Sequence, residues 1–358
     1  MSHPSDLPLQ EPLASPKTHD AKKTYYQWLD YAKGIGILLV VVGHTIAGLA
    51  NSSILTNNSP WQWLHEWIYT FHMALFFIIS GMLVRSSVHR PVGKFTLDKV
   101  RTILYPYLIW SVIESFVRIQ LSQLTNEHLG WTILGKIWYE PIGQFWFLYS
   151  LFIFMVGYRL LVKLRWSDRE VLLLAIGLHL TQFWIPAPDH SIIGSLRDHV
   201  IYFALGLIIV PARLDRYFQG WHIPTFLGFI FLGYGAITWD TFSPYLHSPW
   251  MIPLAAIVGS ATTLGVAILF AKFQICSFFK VLGKATLEIY VLHLLMIAGC
   301  RILLQKFLHV DFAPIHLFLE IAMGILLPLL IRSLCQRLGI TYLFTLPHAS
   351  AKSVAKSV

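Results

Sequence analysis

The stretch "LDYAKGIGILLVVVGH", residues 29–44, opens the first long apolar run of the chain. Asp30 and Lys33 stand at its edge, and one histidine, His44, stands well inside it. Titratable groups within a membrane span are costly to insert and are functional candidates by default. Lys33 and His44 are eleven residues apart, about three turns at ~3.6 residues per turn. They therefore share one helix face, separated by ~16 Å along the axis. Asp30 falls close to the same face, so one helix carries a polar stripe from its mouth to a deep histidine.

The rest of the chain fits a membrane setting. Of 358 residues, 56% are hydrophobic and only 13% charged, with a mean hydropathy of +0.60. A soluble domain carries about a quarter charged residues. The composition predicts an all-α polytopic membrane protein. Residues 1–31 are polar and read as a flexible cytoplasmic tail, 32–336 as the transmembrane domain, and 337–358 as a cytoplasmic C-terminal tail. No short apolar run with a small-residue cleavage site precedes residue 34, so the first apolar segment is expected to be a retained anchor. Cys276, Cys300 and Cys335 are far apart, which suggests neither a disulfide framework nor a metal site.

Roughly 20 apolar residues cross a bilayer core. Ten segments qualify: 33–50, 66–84, 102–121, 143–164, 170–186, 193–210, 222–239, 250–271, 285–304 and 315–335. The fifth and sixth are the weakest. Basic residues then sort by loop. Lys17, Lys22 and Lys23 precede the first segment, and Arg85, Arg90, Lys94, Lys99 and Arg101 follow the second. Lys163, Arg165 and Arg169 follow the fourth, Arg213 and Arg216 the sixth, and Lys272, Lys280 and Lys284 the eighth. Arg337, Lys352 and Lys356 follow the last, while the alternate loops carry only Lys136 and Lys306. This alternation predicts about ten spans with both termini in the cytoplasm. It also accounts for much of the net charge of +9, which speaks against nucleic acid as a partner.

Further polar groups fall inside the segments. His72, in "FHMALFFIISG", reaches a depth comparable to that of His44 on the neighbouring helix, and Glu114 of the third falls in the same outer half. A site made of His44, His72 and Glu114 requires that these faces converge. Lys99 and Arg101, at the start of the third segment, can form with Lys33 a basic mouth suited to phosphates. They read equally well as topology determinants, and Asp30 as a simple partner of Lys33 one turn away. His72 reads alternatively as a neutral histidine bonded to a backbone carbonyl. Glu288 and His293, in "GKATLEIYVLHLL", read alternatively as polar ties between helices. The glycines of "KGIGILL" read as close-packing positions.

The motif "LDYAKGIGILLVVVGH" resembles the first-helix signature of the integral-membrane acyltransferase 3 family, a basic residue, ten intervening residues and then histidine. The resemblance continues, in order and spacing, through "FHMALFFIISGMLV", "KVRTILYPYLIW", "FWFLYSLFIF" and "ATLEIYVLHLL". It covers residues 25 to 335 and is greatest to the branch of fucose 4-O-acetylase-related and exopolysaccharide acetyltransferases. The basic–His pattern alone is weak, whereas five ordered motifs are specific. What the resemblance implies is O-acetylation of a cell-surface glycan or lipid-linked oligosaccharide from acetyl-CoA, without metal, by a multi-pass protein of the bacterial inner membrane. His44 matches the essential histidine, Lys33 a position usually held by Arg, and Lys99 and Arg101 a basic cluster. His72 matches a histidine typical of the branch. The lysine is a departure, because it cannot make the bidentate contact of a guanidinium.

On this reading Lys33, Lys99 and Arg101 hold the donor's phosphates, with Asp30 at the same mouth. His44 acts as general base on a sugar hydroxyl or takes the acyl group itself, and His72 and Glu114 assist. Succinyl in place of acetyl, a homo-oligomer, a proton-coupled glycan exporter and a non-catalytic assembly subunit are alternatives that the residues leave open.

Overall fold

A computed structural model describes residues 26–56, 59–121, 130–186, 191–239 and 251–347. The tail segments 1–25 and 348–358, with Lys17, Lys22, Lys23, Lys352 and Lys356, lie outside the described residues. Among the described residues the regular structure is entirely helical. The α-helices are α1 (Gln27–Asn51), α2 (Pro60–Val84), α3 (Val92–Lys99), α4 (Tyr105–Gln120), α5 (Trp146–Lys163), α6 (Asp168–Leu180) and α7 (Ile192–Ile208). They continue as α8 (Pro211–Tyr217), α9 (His222–Trp239), α10 (Met251–Phe273), α11 (Ser277–Lys284), α12 (Thr286–Ile302) and α13 (Ala313–Arg337). A π turn at Val100–Leu104 joins α3 to α4, and another at Leu303–Phe307 ends α12.

Six helices are long and apolar enough to cross a membrane: α1, α2, α5 with its leading turn, α10, α12 with its π turn, and α13. The fifth and sixth expected segments form α6 and α7, of 13 and 17 residues. Both are shorter than the ~20 residues that cover a bilayer core unaided. The expected polytopic helical architecture is present. Its outward faces carry large apolar side chains such as Leu173, Phe226, Phe229, Phe318 and Leu326. Polar side chains are instead turned inward: Asp30, His72, Glu114, Gln144, His293, His316 and Glu320 are all buried. In water this distribution would be unfavourable, and in lipid it is the natural one.

The middle of the bundle is occupied by α1, which packs against α2, α10, α11, α12 and α13. A helix apolar around most of its circumference, with one polar stripe, belongs in such a position. It runs antiparallel to α2. A Cβ on Gly36 would stand 2.9 Å from Phe76, and one on Gly43 would stand 2.8 Å from Tyr69. The stretch between α10 and α12, read from sequence as a loop, contains α11. This short helix lies along the start of α1 with backbone nearly touching backbone. A Cβ on Gly34 would collide with the Phe279 carbonyl, and one on Gly283 with the Asp30 carbonyl. The glycines of the first motif thus serve close packing, and α11 clamps the end of α1 that carries Asp30 and Lys33.

The basic loop after α2 also ties elements together. Arg85 forms an ion pair with Asp168 at 3.1 Å and donates to the Leu207 carbonyl at 2.6 Å. Tyr158 donates to the same Asp168 at 2.6 Å. Asp168 opens α6, whose first turn is closed by the reciprocal Ser167–Glu170 capping box.

Candidate active site

His44 sits in the second half of α1 and lines a cavity of about 470 Å³. The cavity continues along α1 past Gly48 to Asn51 and Ser52, so it lies towards the end of α1 remote from Lys33. Glu114, Arg118, Gly143, Gln144, Arg301, Gln305 and Lys306 complete its polar lining, and α12 supplies an apolar wall from Leu294 to Ile302. Of the residues expected at the site, the structure brings His44 and Glu114 to one cavity.

His44 is held by a ring cluster. Its Nδ1 lies 3.1 Å from the Tyr69 hydroxyl, and the two rings meet edge-on at 5.8 Å. Tyr69 in turn packs against His65 at 4.0 Å and His72 at 4.7 Å. With Nδ1 engaged by Tyr69, Nε2 is the His44 nitrogen left for chemistry. His293 of α12 lies beside His44, with ring centroids 5.1 Å apart and the planes tilted by 48°.

His72 does not line the cavity. Its Nδ1 lies 2.8 Å from the Ile68 carbonyl, and because a carbonyl only accepts, Nδ1 carries the proton. Tyr69 touches both His72 and His44. His72 thus supports the tyrosine that meets His44.

The carboxylate of Glu114, fully buried on α4, accepts from the Gln144 side chain at 2.7 Å. Gln144 follows Gly143, whose φ of +49° lies in the left-handed region that glycine alone adopts without strain. Tyr290 of α12 donates to the Gln144 carbonyl. A kinked turn before α5 therefore presents Gln144 to Glu114, and α12 fixes that turn.

A second polar group at the cavity was not anticipated from sequence. Arg301 grips Glu320 of α13 through two parallel bonds, Nη2–Oε2 at 2.7 Å and Nε–Oε1 at 3.2 Å. His316 completes the set, with Nδ1 at 2.9 Å from Glu320 and Nε2 at 2.7 Å from the Val310 carbonyl. Glu320 and His316 are fully buried. A bidentate, further hydrogen-bonded pair is the geometry in which a buried ion pair is sustainable. It aims the guanidinium at Gly48, one turn beyond His44. Arg301 and Glu320 are charges inside apolar segments, the same signal that singles out His44. Tyr69 and Gln144 carry no such signal.

At the opposite end of α1, Lys33 pairs with Asp30 at 2.8 Å, and Lys99 pairs with Asp98 at 3.2 Å while covering the Phe95 ring. Arg101 lies in the π turn before α4, and its carbonyl accepts from the Leu346 backbone. Glu288 pairs with Arg332 of α13 at 2.9 Å, an interhelical tie. Among the described residues no three His, Cys, Asp or Glu side chains group as metal ligands do.

Residues 26–333 match the acyltransferase domain family. Among curated proteins the chain is similar to nodulation protein NolL of Mesorhizobium japonicum, with 32% identity over 144 residues, 37% of this chain and 35% of the relative. It is also similar to nodulation protein NolL of Sinorhizobium fredii, with 29% identity over 189 residues, 50% of this chain and 47% of the relative. The chain thus spans less than half the length of either relative. No solved structure matches it. The family match covers most of the chain and includes every residue of the His44 cavity, so the chain belongs to the acyltransferase domain family.

Proposed function

We propose that this chain is a membrane O-acetyltransferase that moves acetyl from cytoplasmic acetyl-CoA to a sugar hydroxyl of a cell-surface glycan. The observation that carries the reading is the place of His44. It is a histidine deep in a central helix, engaged through Nδ1 by Tyr69, on the wall of a cavity large enough for a sugar. The family supplies the reaction class.

In this proposal the chain crosses the inner membrane ten times with both termini in the cytoplasm. The shorter helices α4, α6, α7 and α9 complete the count beside the six long ones. The Lys33 end of α1 then faces the cytoplasm and the His44 cavity faces outward. Lys33, Lys99 and Arg101 take the phosphates of the donor. The carboxylates Asp30 and Asp98 that pair with the two lysines aim the ammonium groups until phosphate replaces them. The acceptor enters the cavity among Arg301, Gln305 and Lys306.

Transfer needs the hydroxyl proton removed as its oxygen attacks the acyl carbon. His44 takes that proton on Nε2. The C–O bond forms, the C–S bond of the thioester breaks, and His44 returns the proton to the departing thiolate. Glu114, held by Gln144, orients the acceptor at the same wall.

The test is transfer of label from [14C]acetyl-CoA into the glycan fraction of membranes carrying the wild-type chain or His44→Ala at equal level. Label with wild type and at least a hundredfold less with His44→Ala is expected, since general bases contribute about 10²–10⁴-fold. Equal labelling would refute the role of His44.

A further inference from the structure

Among the described residues, His293 presents a buried nitrogen with no partner. It lies midway along α12, is fully buried, and its Nδ1 approaches the Tyr290 carbonyl at 2.8 Å and the Ile289 carbonyl at 3.1 Å. Those carbonyls only accept, so Nδ1 carries the proton and Nε2 carries a lone pair. Among the described residues that Nε2 has no hydrogen-bond donor. Buried polar atoms are seldom left so, and each one asks for an explanation. The nearest titratable ring is His44, at a centroid distance of 5.1 Å.

We infer that His293 is the positioning residue of the reaction, whose fixed lone pair receives a hydrogen bond from His44 once His44 has taken the acceptor's proton. The inference rests on the proposed role of His44. Before transfer, His44 has one N–H, which Tyr69 engages, and offers His293 nothing. When the hydroxyl O–H bond breaks and its proton moves to His44 Nε2, that one N–H is shared between the oxygen it left and the His293 lone pair. As the proton passes on to the thiolate, the bond to His293 is lost again, so His293 takes part without net proton gain. An interaction made only after proton transfer begins lowers the barrier without tightening substrate binding. Tyr290, which fixes the His293 proton through its carbonyl, also holds the Gln144 turn through its hydroxyl. One residue of α12 thereby registers both walls of the site.

The two ring nitrogens have separable mimics. Gln places a polar atom near the Nε2 position, and Asn near the Nδ1 position. The kinetic test uses membranes with the full chain as wild type, His44→Ala, His293→Gln and His293→Asn at matched levels, with labelled acetyl-CoA and the native glycan. His293→Gln is expected to keep kcat within about fivefold. His293→Asn is expected to lose about 10–100-fold in kcat, the range of an unmade bond to a buried group, with the donor KM unchanged. Equal rates for Gln and Asn, or the better rate with Asn, would overturn the inference and leave His293 only its backbone bond. Undiminished transfer with His44→Ala would instead overturn the proposed function itself.

Discussion

Gly48 lies directly beneath the guanidinium of Arg301, and a Cβ at that position would collide with it. Arg301 cannot swing away freely, because two bonds tie it to the fully buried Glu320. Gly48→Ala is therefore expected to distort the His44 cavity and to destabilise the protein by about 1–3 kcal/mol, the usual range for overpacking. Thermal unfolding of the detergent-solubilised protein and glycan labelling in membranes check both effects. An unchanged midpoint would show that Arg301 relaxes without penalty.

The Arg301–Glu320 pair makes a second prediction, through non-additivity. Removing one partner strands a buried charge and costs about 3–5 kcal/mol, whereas replacing both with apolar groups is often far milder. Glu320→Leu alone is expected to lower the amount of folded protein sharply. Arg301→Leu together with Glu320→Leu is expected to recover much of it while remaining poor in transfer. Fluorescence-detected gel filtration of the variants measures the folded fraction. A double variant as unstable as the worse single one would contradict the pairing.

The clamp of α11 on α1 is testable with glycines of opposite surroundings. Gly283→Val drives a side chain into the Asp30 carbonyl and is expected to abolish accumulation in the membrane. Gly93→Ala meets nothing within 4 Å and serves as the control, expected to accumulate normally. Immunoblots of membrane fractions decide this, and normal levels of Gly283→Val would refute the clamp.

These positions also show what the sequence could convey. Spans such as α1, α2 and α10 were legible because each is long and apolar enough for one feature to decide it. The pair His44 and Glu114 was legible because titratable groups in apolar segments are conspicuous. Arg301 and Glu320 carried the same signal at the ends of the last two spans, where terminal charges resemble topology markers. Tyr69 and Gln144 were hidden, since a tyrosine near a helix end and a glutamine in a turn are commonplace until packing places them against a histidine and a glutamate. The helix α11 was hidden because eight residues among basic positions read as a connection between spans, although their apolar residues recur at helical spacing. The polarity of His72 was visible, but its bond to the Ile68 carbonyl depends on a rotamer that no spacing encodes.

Orientation is checked by surface labelling. Thr56, beyond the end of α1, and Ser86, just after α2, are both exposed and belong to opposite ends of the bundle. In intact cells a membrane-impermeant maleimide is expected to label Thr56→Cys and to leave Ser86→Cys and the native Cys276 unlabelled until the cells are lysed. The reverse pattern would invert the topology and place the His44 cavity towards the cytoplasm.

The most direct measurement of the central claim is proton NMR of the surface polysaccharide from a strain carrying His44→Ala beside its wild-type parent, with equal protein levels. The predicted result is a polysaccharide of normal yield and backbone that lacks one O-acetyl signal, which also identifies the modified sugar. An unchanged O-acetyl signal would contradict the catalytic role of His44, and loss of the polysaccharide itself would point to export or assembly instead.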